Sequence, residues 1–238
     1  MEVKRESSLV NYSEFEAKIG YVFTNKTLVR QAFTHRSYLN ENRTEQLEHN
    51  ERIEFLGDAV LELAVTEFLF DKFPHKPEGE LTALRSALVN TQSLADSARA
   101  LGINDFLLLS RGEGKDIGRA RQIILANALE ALIGAIYRDS GFLAAQKFIA
   151  SQFFGKIDDV VERKLWRDSK SHFQEIAQEK TGITPSDKLL DKTGPDHDKR
   201  FTVGVYIGEE QIAAGEGKSK QEAEQDAAQK GLASKEWI

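Results

Sequence analysis

The 238-residue sequence contains no cysteine, which excludes disulfide bonds, cysteine-ligated zinc and a cysteine nucleophile. It also lacks any apolar run that approaches the roughly 20 residues needed for a membrane-spanning helix. Residues 1–8 carry several charges and do not resemble a signal peptide. We therefore expect a cytoplasmic protein that has no membrane partner.

Positive charge is not in excess either. The chain has 32 Lys and Arg residues against 38 Asp and Glu residues, a formal net charge of −6 at pH 7. The total therefore gives no sign of a nucleic-acid partner, and any basic binding surface must be a local cluster. The hydrophobic content of 40% is normal for a folded protein. The length suits one large domain or two ordinary ones.

The periodicity of apolar residues changes near residue 160. Before this point, helical spacing predicts helices near residues 13–19, 26–36, 47–72, 79–101, 119–138 and 141–154. After it, a helix at about 168–181 is followed by three strand-like segments and a last helix from 219 to about 233. The sequence thus predicts an all-α domain over residues 1–157, a linker at 158–167 and a small α-β-β-β-α domain over 168–238.

The segment "HNERIEFLGDAVLELAV" (His49–Val65) predicts a helix with an unusual acidic stripe. At about 100° per residue, Glu51, Glu54 and Asp58 fall within roughly 60° of one another. The remaining positions are mostly apolar, which predicts a helix buried on nearly all sides. Crowded carboxylates in such surroundings are unfavourable unless protons or a cation compensate their charge. We favour a divalent metal ion.

A second apolar helix, "RQIILANALEALIGAIY", carries Asn127 and Glu130 at i, i+3 spacing, so the two share a face. If the two helices meet, Glu54, Asp58, Asn127 and Glu130 would surround one cation. A set of oxygen ligands favours Mg²⁺ or Mn²⁺ over zinc. Such a site can activate water and bind phosphate oxygens during in-line displacement.

The same acids allow two further interpretations. Each carboxylate could instead pair with a nearby arginine, such as Arg52 or Arg85. A di-iron helical bundle is the second, although such sites usually use Glu-x-x-His pairs and no Glu lies three residues before a His in this chain. The glycine-rich stretch "SRGEGKDIGR" lacks the spacing of a nucleotide-binding loop and is interpreted as a connector.

Several motifs together resemble one family. "HNERIEFLGDAVL" closely resembles the signature of bacterial ribonuclease III, and "ILANALEALIGAIYRD" is similar to that family's second metal-binding helix. "FTHRSYLNE", "FPHKPEGELTALRSALV" and the C-terminal "GPDHDKRFTVGV" and "GEGKSKQEAEQDAA" occur in the family's order. The resemblance spans the chain. It implies a homodimeric, all-helical endonuclease domain followed by a double-stranded RNA-binding domain.

The resemblance also implies roles for individual residues of the nuclease domain. Glu54 and Asp58 fall on the family's metal ligands and Glu130 on its essential glutamate, which makes Asp58 and Glu130 the candidate catalytic residues. Glu51 and Glu78 match further acids of the cleft.

Two more positions of this domain carry an implication. Phe55 falls in the dimer joint, where it would fill a socket on the partner, and the alternative is an ordinary core phenylalanine. Asn127 departs from the family, which usually has Asp at this position. An amide oxygen can coordinate a cation but adds no charge, so weaker metal binding or a bridging water is expected there.

The C-terminal domain is expected to bind duplex RNA without sequence preference, through 2′-hydroxyls in the shallow minor groove and phosphates. Ser219 is a natural N-cap, and lysines beside a helix N-terminus suit a phosphate. The glutamines on the first helix of this domain and the "GPDHDKR" turn suit the minor groove. The RNA-binding candidates are Gln174, Gln178, Asp196, His197, Lys218, Ser219 and Lys220.

The implied function is a Mg²⁺-dependent endonuclease, with Mn²⁺ as a substitute, that hydrolyses double-stranded RNA. The family implies 5′-phosphate and 3′-hydroxyl ends with short 3′ overhangs, and roles in the processing of ribosomal RNA precursors and messenger RNA. The alternative is a double-stranded RNA-binding protein whose cleavage is weakened or lost because of Asn127.

Overall fold

A computed structural model of the chain describes residues 11–44, 46–115, 117–162, 168–195 and 199–237. The chain divides into two compact units, Met1–Trp166 and Arg167–Ile238. The described part of the first unit is helical, and the second unit combines two helices with a three-stranded sheet. The predicted fold class is therefore confirmed.

The first unit packs its helices around one hydrophobic core. Its two longest helices, α4 and α7, have 22 residues each and pack against one another. The described α-helices of this unit are α1 (Ser13–Ile19), α2 (Lys26–Ala32), α3 (Arg36–Glu41), α4 (Glu51–Lys72), α5 (Glu78–Leu88), α6 (Thr91–Leu101), α7 (Arg119–Ser140), α8 (Phe142–Phe153) and α9 (Ile157–Glu162).

Two segments predicted as single helices are each divided into two. The predicted helix 26–36 breaks because Thr34 forms a β-bridge with Leu108, and the His35 N–H donates to the Leu108 carbonyl at 3.0 Å. The predicted helix 79–101 breaks at Asn90, whose side chain caps α6 by accepting from the Ser93 N–H at 2.9 Å. Asn is a favoured N-cap, so this second break has a local cause.

Helices α4 and α7 cross with their backbones in contact. A Cβ atom added to Gly57 would lie 1.8 Å from the Glu130 carbonyl oxygen, and one added to Gly134 would lie 2.2 Å from the Ile53 carbonyl oxygen. Only glycine fits at such a crossing. The crossing places the N-terminal third of α4 against the centre of α7, which brings the two predicted acid-bearing stripes together.

Helix α4 is not buried on all sides. Its outward stripe includes Phe55, Leu63 and Phe70, which are 80%, 56% and 69% exposed. The prediction of a helix buried on nearly all sides is wrong for the single chain, because an apolar stripe on the surface has the same sequence pattern as one packed in the core. Exposed apolar stripes of this kind mark interaction surfaces.

Helix α7 is long and apolar enough to cross a membrane by length and composition alone, with a mean hydropathy of 1.2 over its most apolar window. Most of that window is buried inside the first unit, where α7 packs on α2, α4, α6 and α8. The position of α7 in the core accounts for its apolar composition.

The second unit has the predicted α-β-β-β-α order. Its sheet is antiparallel with strand order β1-β2-β3, and the two helices pack with it around Phe173, Val205 and Leu232. Gly215 of the third strand lies directly against the last helix, since a Cβ there would fall 2.1 Å from the Ala227 nitrogen. The elements are α10 (Ser169–Thr181), β1 (Ser186–Thr193), β2 (Arg200–Ile207), β3 (Glu210–Gly217) and α11 (Lys220–Ser234).

Helix α9 begins at the end of the predicted nuclease domain and extends into the predicted linker 158–167. Its Ile157 and Val160 are buried in the core of the first unit. The linker boundaries stay a prediction.

Candidate active site and nucleic-acid interface

The α4–α7 crossing brings together the four predicted metal-site residues. Glu54 and Asp58 come from α4, and Asn127 and Glu130 come from α7. The Asn127 side chain lies close enough to Glu54 to lower the pKa of that carboxyl, and the charges of Asp58 and Glu54 both act on Glu130. The residues that the sequence pattern singled out on two separate helices therefore form one cluster.

The cluster is strongly acidic and poorly compensated. Burial, assisted by the negative charges of Asp58 and Glu54, raises the pKa of Glu130 to about 8. Burial also raises the pKa of Glu54, with the charges of Glu51 and Asp58 acting in the same direction and the nearby Asn127 side chain opposing them. Bound protons or a cation would relieve this repulsion.

Pairing with arginine does not account for the central acids. No Lys or Arg among the described residues forms an ion pair with Glu54, Asp58 or Glu130. Arg85 of α5, one of the two arginines considered for such pairing, instead donates to the Thr66 hydroxyl at 2.9 Å.

The donor set fits a hard divalent cation, because it consists of carboxylate and amide oxygens and lacks a neutralising base. Within the described residues, however, no three Asp, Glu or His side chains converge closely enough to hold one ion in common. Repulsion between the carboxylates favours such a spread arrangement of their side chains. Asp58 is also exposed rather than buried, which corrects the expectation of a wholly buried seam. The ligand set therefore stays a prediction.

The two further cleft acids occupy different places. Glu51 begins α4, lies 3.2 Å from the Arg36 guanidinium and acts electrostatically on Glu54, so it borders the cluster. Glu78 begins α5 and lines an open cavity beside Leu69, near the other end of α4. Leu69 and Glu54 are fifteen residues apart on α4, or roughly 22 Å along the helix axis. The structure does not bring Glu78 to the cluster within one protomer.

The sequence interpretation missed Gly57 and Gly134, which fix the helix crossing. Glycine inside a helix normally costs stability, so a glycine within a strongly helical pattern points to close backbone packing. Gly57 lies between Glu54 and Asp58, and Gly134 lies one turn after Glu130, so this signal was available in the sequence.

In the second unit, Ser219 caps α11 as predicted: its hydroxyl accepts from the Glu222 N–H at 3.1 Å. Lys218 and Lys220 flank this cap, and Lys220 is exposed, with 60% of its side chain open to solvent. Lys220 lies 3.7 Å from the Glu224 carboxylate, which also binds Lys170 at 2.8 Å. The predicted phosphate site therefore combines a helix N-terminus with two lysines, one of which has a nearby acid.

The predicted minor-groove residues are only partly described. Gln174 is half-buried and Gln178 is exposed on α10, one turn apart. The Gln178 side chain accepts from the Thr184 hydroxyl at 2.8 Å. Asp196 and His197 lie outside the described residues.

Comparison with known proteins supports this two-part architecture. A family model described as Ribonuclease-III-like matches residues 25–157, and a model of the double-stranded RNA binding motif matches residues 169–235. Ribonuclease 3 of Geobacillus sp. is 46% identical over 95% of this chain and 92% of its own length. Ribonuclease 3 of Enterococcus faecalis is 44% identical over 93% of this chain and 96% of its own length.

Solved structures give the same result for the first unit. The nuclease domain of ribonuclease III from Campylobacter jejuni, in a structure whose description concerns flexibility in the region involved in dimer formation, is 42% identical with a TM-score of 0.54. The match covers 60% of this chain and 99% of that domain.

The fold and the family models define a helical nuclease domain of a metal-dependent family, joined to a double-stranded RNA-binding domain. The chain belongs to the ribonuclease III family, and it is an endoribonuclease that acts on double-stranded RNA.

Proposed function

We propose that the chain hydrolyses phosphodiesters of double-stranded RNA with Mg²⁺ as its cofactor, and that Mn²⁺ can replace it. The products have 5′-phosphate and 3′-hydroxyl ends with short 3′ overhangs. The observation that carries this proposal is the uncompensated cluster of Glu54, Asp58 and Glu130 at the α4–α7 crossing. The carboxylate oxygens of this cluster are the donors that a hard divalent cation prefers.

Each residue of the cluster has its own proposed role. Glu54, Asp58 and Glu130 would hold the ion after their side chains turn toward it, since they do not converge closely enough in its absence. When bound, a divalent cation supplies an activated water and neutralises charge on the phosphate. The high pKa of Glu130 means that this carboxyl readily holds a proton when its neighbours are charged. Glu51, paired with Arg36, adds negative potential at the edge of the cluster.

A homodimer explains the open side of α4. Phe55 and Phe70 lie on the same exposed stripe, and Phe70 lines a cavity of about 440 Å³ with Leu69 and Leu81. A partner's Phe55 would fill such a cavity and remove both aromatic rings from water. The description of the Campylobacter jejuni nuclease domain names a region involved in dimer formation, which supports the same assembly for this chain.

The dimer would also give Glu78 a role. Glu78 lines the same cavity as Phe70, far from Glu54 of its own protomer. If the partner's Phe55 enters this cavity, the N-terminal part of the partner's α4 comes with it. Glu78 would then border the partner's acidic cluster. Two clusters in one dimer provide one cleavage site for each RNA strand.

The second unit would supply most of the affinity for the duplex. Lys218, Ser219 and Lys220 would bind a phosphate at the N-terminus of α11. Gln174, Gln178, Asp196 and His197 would face the minor groove. We further propose that the enzyme works in the cytoplasm, on ribosomal RNA precursors and messenger RNA.

A second candidate function rests on Asn127, which leaves the cluster one negative charge short of a four-acid site. In that case the chain binds duplex RNA but cleaves it weakly or not at all. Gel analysis of a long RNA duplex, incubated with the full-length protein at increasing Mg²⁺, separates the two. Cleavage that requires Mg²⁺ and spares the matching single strands supports the nuclease. A mobility shift without cleavage at any Mg²⁺ concentration supports the binding protein.

A further inference from the structure

The Glu224 carboxylate of α11 lies between two lysines. Its Oε2 atom is 2.8 Å from the Lys170 ammonium at the start of α10, and its Oε1 atom is 3.7 Å from the Lys220 ammonium. Only 15% of the Glu224 side chain is exposed, against 60% of the Lys220 side chain. Lys220 belongs to the proposed phosphate site, so an acid lies directly beside the place where the RNA backbone should bind.

Lys170 joins three elements of the second unit. Its ammonium lies 2.7 Å from Asp187 of β1 as well as 2.8 Å from Glu224 of α11. Its backbone N–H donates to the Asp168 carboxylate that caps α10 at 3.0 Å, and the Gln225 side chain bonds the same carboxylate. Hydrogen bonds to Asp187 and Glu224 raise the pKa of Lys170, so its ammonium stays charged. The side chain is therefore fixed beside Glu224.

We propose that Lys170 is a positioning residue for duplex binding, which holds Glu224 and thereby keeps Lys220 available to an RNA phosphate. This inference rests on the proposed phosphate role of Lys220 and assigns a residue that acts through it. The contact of Glu224 with Lys170 is shorter and less exposed than its contact with Lys220, so solvent and salt screen it less. The exposed contact is weak, and a phosphate can replace it.

Direct phosphate binding by Lys170 fits the geometry less well. Its ammonium already has two carboxylate partners within 2.8 Å, and only 31% of its side chain is exposed. Loss of Lys170 would instead leave Glu224 with an uncompensated charge. Lys220 is the other lysine of the described chain within 4 Å of this carboxylate, so Glu224 would pair with Lys220 and compete with the phosphate.

A double-mutant cycle in the full-length protein tests the proposal. The variants are Lys170→Met, Glu224→Gln and the double variant, and the readout is the affinity for a labelled RNA duplex in EDTA at several salt concentrations. We expect Lys170→Met alone to weaken binding by about fivefold at about 0.15 M salt and to reduce the slope of log K against log salt by about one, as for one lost phosphate contact. In the Glu224→Gln background the same substitution should change the affinity by less than about twofold.

Lys170→Met also leaves Asp187 without its cation, which lowers the stability of the second unit. A second cycle therefore carries Asp187→Asn in every variant, because asparagine needs no cation. The loss of affinity and its rescue by Glu224→Gln should be the same in both cycles. Lys230→Met is the matched control, since Lys230 also lies on α11 and binds a different acid, Asp226, at 2.7 Å. It should change the affinity by less than about twofold.

An equal loss from Lys170→Met in both Glu224 backgrounds would show that Lys170 binds a phosphate itself or only stabilises the fold. No loss in either background would remove Lys170 from the site. Both results overturn the proposal.

The proposed function of the phosphate site fails by a different result. If Lys220→Ala leaves the affinity and the salt slope as in the wild type, Lys220 does not bind a phosphate and the positioning role falls with it. If Lys220→Ala weakens binding while Lys170→Met acts equally in both Glu224 backgrounds, only the positioning role fails.

Discussion

Gly57 of α4 and Gly134 of α7 face each other across the helix crossing: the Gly57 nitrogen lies 3.1 Å from the position that a Cβ on Gly134 would take. The two glycines set how close the helices come, and therefore how far Glu54 and Asp58 lie from Glu130. The chemistry of the site thus depends on two residues that have no side chain.

Gly57→Ala should force the helices apart, because the new methyl group would meet the Glu130 carbonyl. We expect a loss of about 1–3 kcal/mol in the free energy of unfolding, as for other overpacked cores, together with weaker Mg²⁺-dependent cleavage. Urea denaturation measures the first effect. Gly79→Ala is the control, since no heavy atom lies within 4 Å of the place that its new methyl group would take on α5. Equal stability of the two variants would show that the crossing tolerates a side chain.

The stability of the protein in EDTA should fall as the pH rises from about 4.5 to about 8. The pKa of Glu130 is raised to about 8 in the folded protein, so this carboxyl keeps its proton in the folded state at pH values where the unfolded chain has lost it. The stabilisation that this proton provides is fully present at pH values below the pKa of Glu130 in the unfolded chain. It is lost as the pH rises through the pKa of Glu130 in the folded protein, at a cost on the order of a few kcal/mol.

Thermal melts across this pH range check the prediction. Glu130→Gln should flatten the decline, because glutamine does not titrate, and Mg²⁺ should reduce it in the wild type by stabilising the folded state. A wild-type protein whose melting temperature is constant across the range would contradict the assigned environment of Glu130.

Phe55→Asp should dissociate the dimer. The Phe55 ring is 80% exposed in the protomer, and buried aromatic anchors commonly contribute about 2 kcal/mol or more to an interface, so we expect the dimer Kd to rise by at least about tenfold. Leu143→Asp serves as the control, because Leu143 is 78% exposed on α8. Sedimentation velocity over a range of concentrations measures the dimer Kd of the two variants. A dimer that persists in Phe55→Asp would place the interface elsewhere.

Lys218→Ala combined with Lys220→Ala should weaken binding to unrelated RNA duplexes to a similar degree. Each lost phosphate contact should reduce the slope of log K against log salt by about one. The control pair is Lys230→Ala with Lys235→Ala, since these lysines bind Asp226 at 2.7 Å and Glu210 at 3.0 Å at the far end of α11. A salt slope that matches the wild type would rule out the phosphate role of Lys218 and Lys220.

Much of the fold was predictable because local signals agree with the final structure. Strong periodicity gave the position of α7, and the change of periodicity near residue 160 gave the order of helices and strands in the second unit. The helix breaks at Thr34 and Asn90 were missed. The first depends on a bridge to Leu108, which is distant in sequence and leaves no local trace.

The sequence indicated which residues belong to the candidate site, but not how the helices that carry them pack. The i, i+3 and i, i+4 spacing of the polar residues identified one face of each helix, and family resemblance joined the two faces. Spacing cannot show which face of α4 meets α7 and which meets a partner. For this reason the distant place of Glu78 became apparent only from the packing. The exposure of Phe55 followed from the family resemblance and not from the spacing.

The most direct test of the active site is cleavage of a labelled RNA duplex by Glu130→Gln in Mg²⁺, measured beside duplex binding in EDTA. Removal of one anionic group from the site should reduce the cleavage rate by at least about 100-fold. Duplex affinity and the circular dichroism spectrum should stay as in the wild type. A Glu130→Gln variant that cleaves the duplex at the wild-type rate would contradict the central claim that the α4–α7 acidic cluster is the metal-dependent active site.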